Sequence, residues 1–424
     1  MSSPPAAGLG LPPIPPPSRE AESAARRRQA ALLKPPGSLG RLEDLAILIA
    51  GLRAVPIPPR ERKLAIVFAA DHGVARVGVS AYPSDVTAQM LRSFALGVAA
   101  VNALARASGA DLLVVDVGTA SETSAPLGVL DRRIRSGTAS LLDGAAMARG
   151  EAEAAVAAGA AVVEARLDDG IDLLALGEMG IGNTTAAAAL TAALLGVTAE
   201  ATVGQGTGID DAALARKRRV VAAALQRHRP DPTDPIAVLS AVGGLELAAL
   251  AGAMLRAAAA RVPVLLDGFP TGAAALVAAA LDPAVVPYLI ASHRSPEPGH
   301  RLVLEWLGKE PLLDLGMRLG EASGALLGLH VVDAALAVHA EMATFAEAGV
   351  AGSVQTPRNG PSASSDAADG GPEAGAGAAT PPSAVPNLRR DSLLAAVTSS
   401  ASSSRDQSDP ERHRPSPGHV DRGA

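Results

Sequence analysis

The stretch IDLLALGEMGIGNTTAAAALTAALLG, residues 171–196, decides the fold class. Its apolar run 171–177 leads into a glycine-bearing turn and then into an alanine-rich helical pattern. Similar apolar runs that end in a turn recur at 63–70, 111–118, 262–268 and 286–292. Runs this continuous suit strands covered on both faces, and their alternation with helices is typical of parallel sheets. The sequence therefore predicts an α/β fold with a doubly wound, mainly parallel sheet.

Changes in composition predict how the chain is organised around this sheet. Residues 1–17 are rich in proline, and residues 354–424 are rich in proline, glycine and serine. Neither segment can bury enough apolar surface to offset its ordering entropy, so both are expected to be disordered. The folded domain is then 18–353. Its flanking helical parts, about 18–53 and 313–348, lack strands and are expected to pack together as a smaller helical subdomain.

Composition also excludes several classes of protein. Hydrophobic residues make up 48% of the 424 residues, and the formal net charge is −6, so there is no general basic field for nucleic acid or anionic membranes. The absence of cysteine rules out disulfides and thiolate nucleophiles. The N-terminus lacks the pattern of a secretory signal, and the apolar stretch 242–260 contains Glu246 and Arg256. We expect a soluble, cytoplasmic protein with neither nucleic-acid nor membrane partners.

The first candidate site is GEMGIGNTT, residues 177–185, between a predicted strand and a predicted helix. Its glycines allow the backbone to approach an anion closely, and free amides at a helix N-terminus form a phosphate cradle. The spacing matches neither a Walker loop nor GxGxxG, so it predicts neither nucleoside triphosphate nor dinucleotide binding. The alternative is an ordinary strand-to-helix turn with Thr184 and Thr185 capping the helix.

A second glycine-rich turn occurs in VGQGTGIDDAALARK, residues 203–217. Lys217 falls about two turns into the following helix, where its cation would reach a phosphate held at the loop. The alternative interpretation is a solvated lysine.

The segment 71–90 places Asp71 and His72 at a strand end. A metal site would need partners, and the other histidines show no spacing typical of a chelate, so no metal is predicted. Polar and apolar side chains further along this segment suit a flat pocket that orients a heterocycle; they are Ser80, Tyr82, Gln89 and Met90. Met90 serves equally well as a core residue.

Glu321 opens an otherwise apolar helix in MRLGEASGALL, residues 317–327. A carboxylate among apolar neighbours is typical of a general base. It is also what complements a helix dipole. The local pattern leaves both interpretations open.

Seven stretches, taken together, resemble the nicotinate-nucleotide:dimethylbenzimidazole phosphoribosyltransferase family of cobalamin lower-ligand synthesis. They occur in the order found in that family and span nearly all of 34–348. The matching stretches are 34–46, 69–90, 176–190, 206–217, 265–276, 291–300 and 313–327.

The resemblance implies a Rossmann-like large domain, a small helical domain built from both chain ends, and a homodimer. It implies transfer of the phosphoribosyl group of nicotinate mononucleotide to 5,6-dimethylbenzimidazole or a related base, giving α-ribazole 5′-phosphate and nicotinate. It assigns Glu321 as the catalytic base, with Glu178 in the same site. The residues that it places around the phosphoribosyl group are Gly177, Gly180, Gly182, Asn183, Thr184, Gly204, Gly206, Lys217, Gly268 and Ser292. Those that it places around the base are Ser80, Tyr82, Gln89 and Leu319.

The sequence departs from the family at two places. The family often has arginine where Gln205 stands, and the change is expected to weaken one anion contact. It usually has Gly-Thr where Ala322 and Ser323 follow Glu321, and this change is expected to be mild. The segment after 354 has no counterpart.

The chemistry of such a transfer calls for no metal and no cofactor, because the transition state is oxocarbenium-like rather than a displacement at phosphorus. Three alternatives stay open at this point: a nucleosidase on the same scaffold that uses water, a non-catalytic nucleotide-binding module, and a protein whose tail 354–424 docks a partner.

Overall fold

Six strands form one parallel sheet in the computed structural model, which describes residues 8–120 and 125–351. The strands are β1 (Lys63–Ala70), β2 (Ala110–Gly118), β3 (Val129–Asp131), β4 (Leu173–Met179), β5 (Val264–Leu266) and β6 (Leu289–Ala291). Every pairing between neighbours is parallel. The predicted fold class is confirmed.

The strand order is β3-β2-β1-β4-β5-β6, which is the order of the Rossmann arrangement. The chain builds outward from β1 to one edge, returns to the centre, and builds outward from β4 to the other edge. Connections therefore diverge above the carboxyl ends of β1 and β4. Ligands of open α/β sheets bind at this switch point.

Thirteen helices surround the sheet in the described ranges. They are α1 (Arg19–Ala31), α2 (Arg41–Arg53), α3 (Asp85–Ala95), α4 (Ala100–Ser108), α5 (Arg149–Leu167), α6 (Asn183–Leu195), α7 (Ala199–Thr202), α8 (Asp211–His228), α9 (Pro235–Val242), α10 (Leu245–Ala259), α11 (Phe269–Leu281), α12 (Pro298–Leu307) and α13 (Ser323–Glu341). Short 3-10 turns lie at Gly73–Val77 and Pro283–Tyr288.

Alternate residues of each strand are buried on opposite faces of the sheet. In β1, Leu64, Ile66 and Phe68 join the core shared with α5, α6 and α8–α12. Ala65 and Val67 join the core shared with α2, α3, α4 and α13. Helices on both faces explain why the strand sequences are continuously apolar.

The two end segments of the folded part contact each other. The Arg28 side chain in α1 donates hydrogen bonds to the carbonyl oxygens of His339 and Ala340, at 2.6 and 2.8 Å. A β-bridge pairs Leu32 with Thr344. Helix α13 also packs on β4 and β5, so these helices and the sheet belong to one compact unit.

Residues 8–17 differ from the prediction of disorder. Leu9, Leu11 and Ile14 pack against the core. The Tyr288 hydroxyl donates a hydrogen bond to the Pro15 carbonyl oxygen at 2.8 Å. The prediction considered only the proline content of this stretch. Its three apolar side chains are partly buried against the core and hold the stretch there. Residues 1–7 and the predicted disordered tail 354–424 lie outside the described residues.

Within residues 8–120 and 125–351, two segments are long and apolar enough to cross a membrane by length and composition, Asp85–Ser108 and Ser323–Glu341. The second is α13, which packs on the sheet. The first contains α3 and α4, with Leu96 and Val98 exposed between them.

Candidate active site

Glu178 lies one residue before the end of β4, beside the switch point, and is buried. The side-chain amide of Asn183, the first residue of α6, donates a hydrogen bond to its Oε2. Burial raises the pKa of Glu178 well above its usual value, and the charges of Asp267, Glu246 and Glu321 raise it further. Burial and these charges therefore favour the protonated form of Glu178, which can donate a hydrogen bond.

Glu321 is delivered to the same place by a turn in the left-handed region. Gly320, Glu321 and Ala322 have φ values of +87°, +61° and +62°. Side chains other than glycine cost about 1–2 kcal/mol each in this region. The φ of Ala322 gives a physical reason for the glycine that the family usually has there.

Contacts with the sheet hold this strained turn. The Glu321 amide donates a hydrogen bond to the Glu178 carbonyl oxygen at 3.2 Å. A Cβ atom at Gly177 would overlap the backbone of Ala322, so only glycine lets the turn rest on β4. Asp267, just after β5, accepts hydrogen bonds from the amides of the first turn of α13. The turn is anchored to two adjacent strands.

The Glu321 carboxylate has the environment of a general base. Its side chain is buried, and Oε2 has no hydrogen-bond partner among the described residues. Burial and then the charge of Asp267 raise its pKa to about 7. A carboxylate with this pKa accepts protons effectively near neutral pH.

Lys217 joins the two glycine-rich loops. Its Nζ donates hydrogen bonds to Thr184 Oγ1 at 2.8 Å and to the Gly204 carbonyl oxygen at 3.2 Å. The side chain is fully buried, and burial lowers its pKa to about 8 although Glu297 opposes the change. Lys217 therefore remains largely protonated at neutral pH, as a buried cation behind both loops.

The second loop is shaped by a residue that the sequence did not single out. The Gly206 amide donates a hydrogen bond to Glu297 Oε1 at 2.8 Å. Arg318 Nη1 donates to the Gly206 carbonyl oxygen at 3.3 Å, which brings a further cation to the loop that contains Gln205. Both the amide and the carbonyl group of Gly206 therefore form hydrogen bonds within the protein.

The remaining predicted phosphoribosyl residues lie at strand ends. Gly182, with φ of +98°, caps the N-terminus of α6. A Cβ atom at Gly180 would overlap the Ala70 carbonyl oxygen, so the ends of β1 and β4 touch. Gly268 follows β5, and Ser292 follows β6 with its hydroxyl buried and unpartnered among the described residues. The structure brings the strand ends of β4, β5 and β6 to one edge.

The predicted base-pocket residues are more exposed than the predicted phosphoribosyl residues at the strand ends. Ser80 Oγ lies 3.3 Å from Thr207 Oγ1, so the segment after β1 contacts the loop that contains Gly206. Tyr82 and Leu319 are 55% and 56% exposed, and Gln89 is exposed on α3. Leu319 is placed beside the site by its position two residues before Glu321.

A buried histidine–glutamate pair to which the sequence interpretation assigned no role also lies near the site. His72 Nε2 lies 2.8 Å from Glu246 Oε1, and both side chains are buried. Burial lowers the pKa of His72, but the charge and hydrogen bond of Glu246 outweigh it and raise the pKa overall. In the described ranges, no group of three or more histidine and carboxylate side chains converges as a metal-ligand set. The one signal in the sequence for Asp267 and His72 is their position within two residues of a strand end.

Comparisons with known proteins agree with this geometry. A family model described as "Phosphoribosyltransferase" matches residues 14–350. A nicotinate-nucleotide–dimethylbenzimidazole phosphoribosyltransferase of Desulforudis audaxviator is 52% identical over 319 residues, which cover 75% of this chain and 90% of that protein. The enzyme of the same name from Roseiflexus sp. (strain RS-1) is 53% identical over 324 residues, which cover 76% of this chain and 92% of that protein.

A solved structure agrees as well. The crystal structure of CobT from Thermus thermophilus superposes with a TM-score of 0.75 at 48% identity, covering 78% of this chain and 99% of that chain. The range 14–350 that the family model matches contains the sheet, both glycine-rich loops and the Glu321 turn. The chain therefore belongs to the nicotinate-nucleotide–dimethylbenzimidazole phosphoribosyltransferase family.

Proposed function

We propose that the chain transfers the phosphoribosyl group of nicotinate mononucleotide to 5,6-dimethylbenzimidazole or a related base, with Glu321 as the general base. The products are α-ribazole 5′-phosphate and nicotinate, as in cobamide nucleotide-loop synthesis. One observation carries the assignment of Glu321: a buried carboxylate with a pKa of about 7 is hydrogen bonded through its backbone to Glu178, beside the switch point.

The leaving group needs no acid. Nicotinate mononucleotide carries a pyridinium at C1′, and breaking the C1′–N bond returns the electron pair to the ring nitrogen, which becomes neutral. The incoming benzimidazole nitrogen forms the new bond to C1′ and makes its ring cationic. The remaining N–H of that ring becomes acidic, and its proton passes to the Glu321 carboxylate.

Anchoring of the sugar phosphate is assigned to the loops joined by Lys217. The lysine holds Thr184 at the N-terminus of α6 and Gly204 in the second loop, so a phosphate placed between them meets helix amides and a buried cation. The phosphate is remote from the bond that changes. Its binding energy serves to position C1′ in front of the incoming base.

Neutral Glu178 is assigned a different role from Glu321. Two neighbouring ionised carboxylates repel each other, and the charge of Glu321 is one of the causes that raise the pKa of Glu178. One carboxyl therefore keeps its proton and donates a hydrogen bond within the site, while the other is free to accept the proton of the base. Different environments give the two glutamates these separate roles.

For the base, we propose a slot bordered by Ser80, Tyr82, Gln89 and Leu319. The hydrogen-bonding distance between Ser80 and Thr207 supports this, because it sets the segment after β1 against the phosphate-side loop. The exposed ring of Tyr82 and the exposed aliphatic side chain of Leu319 supply apolar surface for a planar azole.

We also infer that the enzyme works as a cytoplasmic homodimer without nucleic-acid or membrane partners. The net charge of −6 supports the absence of nucleic-acid and anionic-membrane partners. The exposed Leu96 and Val98 between α3 and α4 supply apolar surface for a second copy. Sedimentation analysis that finds a monomer at micromolar concentration would contradict the dimer.

The transfer is tested by mass spectrometry of the products. Nicotinate mononucleotide is incubated with the full chain and a panel of benzimidazoles, and the α-ribotide and free nicotinate are measured. A transferase releases nicotinate only when a base is present and in equal amount to the ribotide. Nicotinate release that does not depend on the base identifies a nucleosidase instead, and release of neither product leaves a binding module.

A further inference from the structure

Asp267 is a buried carboxylate to which the sequence assigned no role. It follows β5 directly, its side chain is buried, and its Oδ2 has no hydrogen-bond partner among the described residues. Its Oδ1 accepts hydrogen bonds from the amides of Gly324 at 2.7 Å and of Ala325 at 3.2 Å. These amides belong to the first turn of α13, three and four residues after Glu321. Asp267 thus caps the helix that the catalytic turn opens.

A second contact fixes the same helix end. A Cβ atom at Gly324 would overlap the imidazole ring of His293, which follows β6. His293 Nε2 lies 3.5 Å from Asp267 Oδ1. The start of α13 is therefore held between a carboxylate on β5 and a ring on β6, while Gly177 on β4 supports the turn before it.

Several ionisable groups on neighbouring elements interact with Asp267. Carboxylates come from β4 and from the turn before α13: Glu178, on which Glu246 of α10 also acts, and Glu321. Imidazoles come from the segment after β6 and from α12: His293 and His300. Burial lowers the pKa of His300 to about 4, and the charge of His293 lowers it as well, so His300 is neutral near pH 7.

The amides of a helix N-terminus stabilise a negative charge. Among the three carboxyls at the ends of β4, β5 and α13, Asp267 alone accepts two such amides from α13. These amides stabilise a negative charge at Asp267, and such a charge favours the protonated forms of the neighbouring carboxyls. Its charge is a cause of the raised pKa of both Glu178 and Glu321.

We propose that Asp267 is a positioning residue of the transfer reaction: it holds the start of α13 so that Glu321 faces the bound base, and its fixed negative charge draws the base's proton to Glu321. The proposal rests on the role of Glu321 in the proposed function. It adds a residue that acts through its neighbours, Glu321 above all.

Two substitutions separate the two parts of this role. Asp267→Asn keeps an oxygen that accepts from the Gly324 and Ala325 amides and removes the charge. Asp267→Ala removes both. Asp282→Asn is the matched control, because Asp282 also caps a backbone amide, that of Ala284 at 2.9 Å, at the opposite end of α11.

The experiment measures kcat and the KM for nicotinate mononucleotide between pH 5 and 9 for the full chain and each variant. The wild-type kcat falls on the acid side as Glu321 takes up a proton. In Asp267→Asn this acid limb moves to lower pH by about one unit, because a neighbouring like charge has gone. Its kcat at high pH stays within about threefold of wild type, since the helix cap is kept. Asp267→Ala lowers kcat by about tenfold or more at every pH.

If kcat of Asp267→Asn falls at the same low pH as kcat of the wild type, the proposed effect of the Asp267 charge is wrong. If Asp267→Ala keeps the wild-type kcat, the proposed positioning of Glu321 by Asp267 is wrong. If Asp267→Ala does not fold, the Asp267→Asn profile alone decides. Wild-type enzyme that forms no α-ribotide would instead overturn the proposed function. An unmoved limb in an active enzyme that still depends on Glu321 overturns only the role of Asp267.

Discussion

Glu321 shows how one buried side chain acquires its chemistry from its surroundings. An exposed glutamate is ionised at neutral pH and too weak a base to take a proton effectively. Burial and the neighbouring Asp267 raise its pKa to about 7, so about half of the Glu321 side chains are ionised near neutral pH. The unpartnered Oε2 leaves one oxygen available for the N–H of the incoming base.

Replacing Glu321 by glutamine is expected to lower kcat by about two decades or more, because the amide keeps the shape and cannot accept the proton. The dissociation constant of nicotinate mononucleotide, measured by calorimetry, is expected to stay near the wild-type value. Glu310→Gln, at an exposed ion pair, is the control. Wild-type turnover in Glu321→Gln would remove Glu321 from the role of base.

The pKa of Glu321 also predicts the pH dependence. A group with a raised pKa is protonated below that value, so the active, ionised fraction of Glu321 falls as the pH drops below about 7. We expect kcat to fall by about tenfold per pH unit on the acid side. The limb is expected to vanish in Glu321→Gln, and its persistence there would assign it to another group.

Lys217 is predicted to act on the nucleotide rather than on the base. Loss of a buried, charge-assisted hydrogen bond costs roughly 1.5–3 kcal/mol, so Lys217→Ala is expected to raise the KM for nicotinate mononucleotide by about tenfold or more. Lys217→Met keeps most of the side-chain volume and controls for the cavity. Arg219→Ala, on an exposed position of the same helix, is expected to change neither KM. An effect confined to benzimidazole affinity would contradict the assignment.

At the scale of elements, α13 decides where the catalytic carboxylate points. Its first turn is held by β5 and β6, and the left-handed residues before it are supported by β4. Left-handed residues store strain that survives only where tertiary contacts over-determine the conformation. The helix and the sheet edge therefore act as one rigid support for Glu321.

Gly324→Ala tests this support. The added methyl overlaps the His293 ring, so the start of α13 must shift away from the sheet. We expect a loss of about 1–3 kcal/mol in the free energy of unfolding, measured by urea denaturation. A shift of the Glu321 turn is also expected to lower kcat by about tenfold or more.

Gly144→Ala is the control for that substitution, because a methyl group there has open space. If Gly324→Ala matched this control in both stability and kcat, the packing of α13 on His293 would have no part in positioning Glu321.

At the scale of the molecule, the two chain ends are predicted to matter differently. Every candidate site residue lies within the range 14–350 that the family model matches. A chain ending at residue 351 is therefore expected to keep the wild-type kcat and both KM values. A large loss of transfer would assign a working role to the segment 352–424.

Removal of residues 1–17 is expected to be costly. It exposes core surface now covered by Leu9, Leu11 and Ile14, which corresponds to a loss of about 2–3 kcal/mol in the free energy of unfolding. Urea denaturation of the shortened chain measures this. An unchanged midpoint would show that the contacts of this stretch, including the hydrogen bond from Tyr288, add nothing to stability.

The sequence by itself determined the fold class and the identity of the main candidate groups. Continuous apolar runs require strands covered on both faces, and polar clusters directly after those runs must collect at one edge of a parallel sheet. Such local patterns place Glu178 at that edge and Lys217 near a phosphate-binding loop, and the family resemblance adds Glu321 to the same site. The prediction of disorder for residues 8–17, which rested on proline content, was wrong. Proline content does not show which apolar side chains pack against the core.

Only the tertiary structure decided what those groups are chemically. The pKa of Glu321 depends on Asp267, which lies 54 positions earlier in the sequence and reaches the site through the neighbouring strand β5. The pairing of His72 with Glu246 and the bond from Gly206 to Glu297 likewise join distant segments. Burial and through-space charge arise from packing, and no spacing along the chain encodes them.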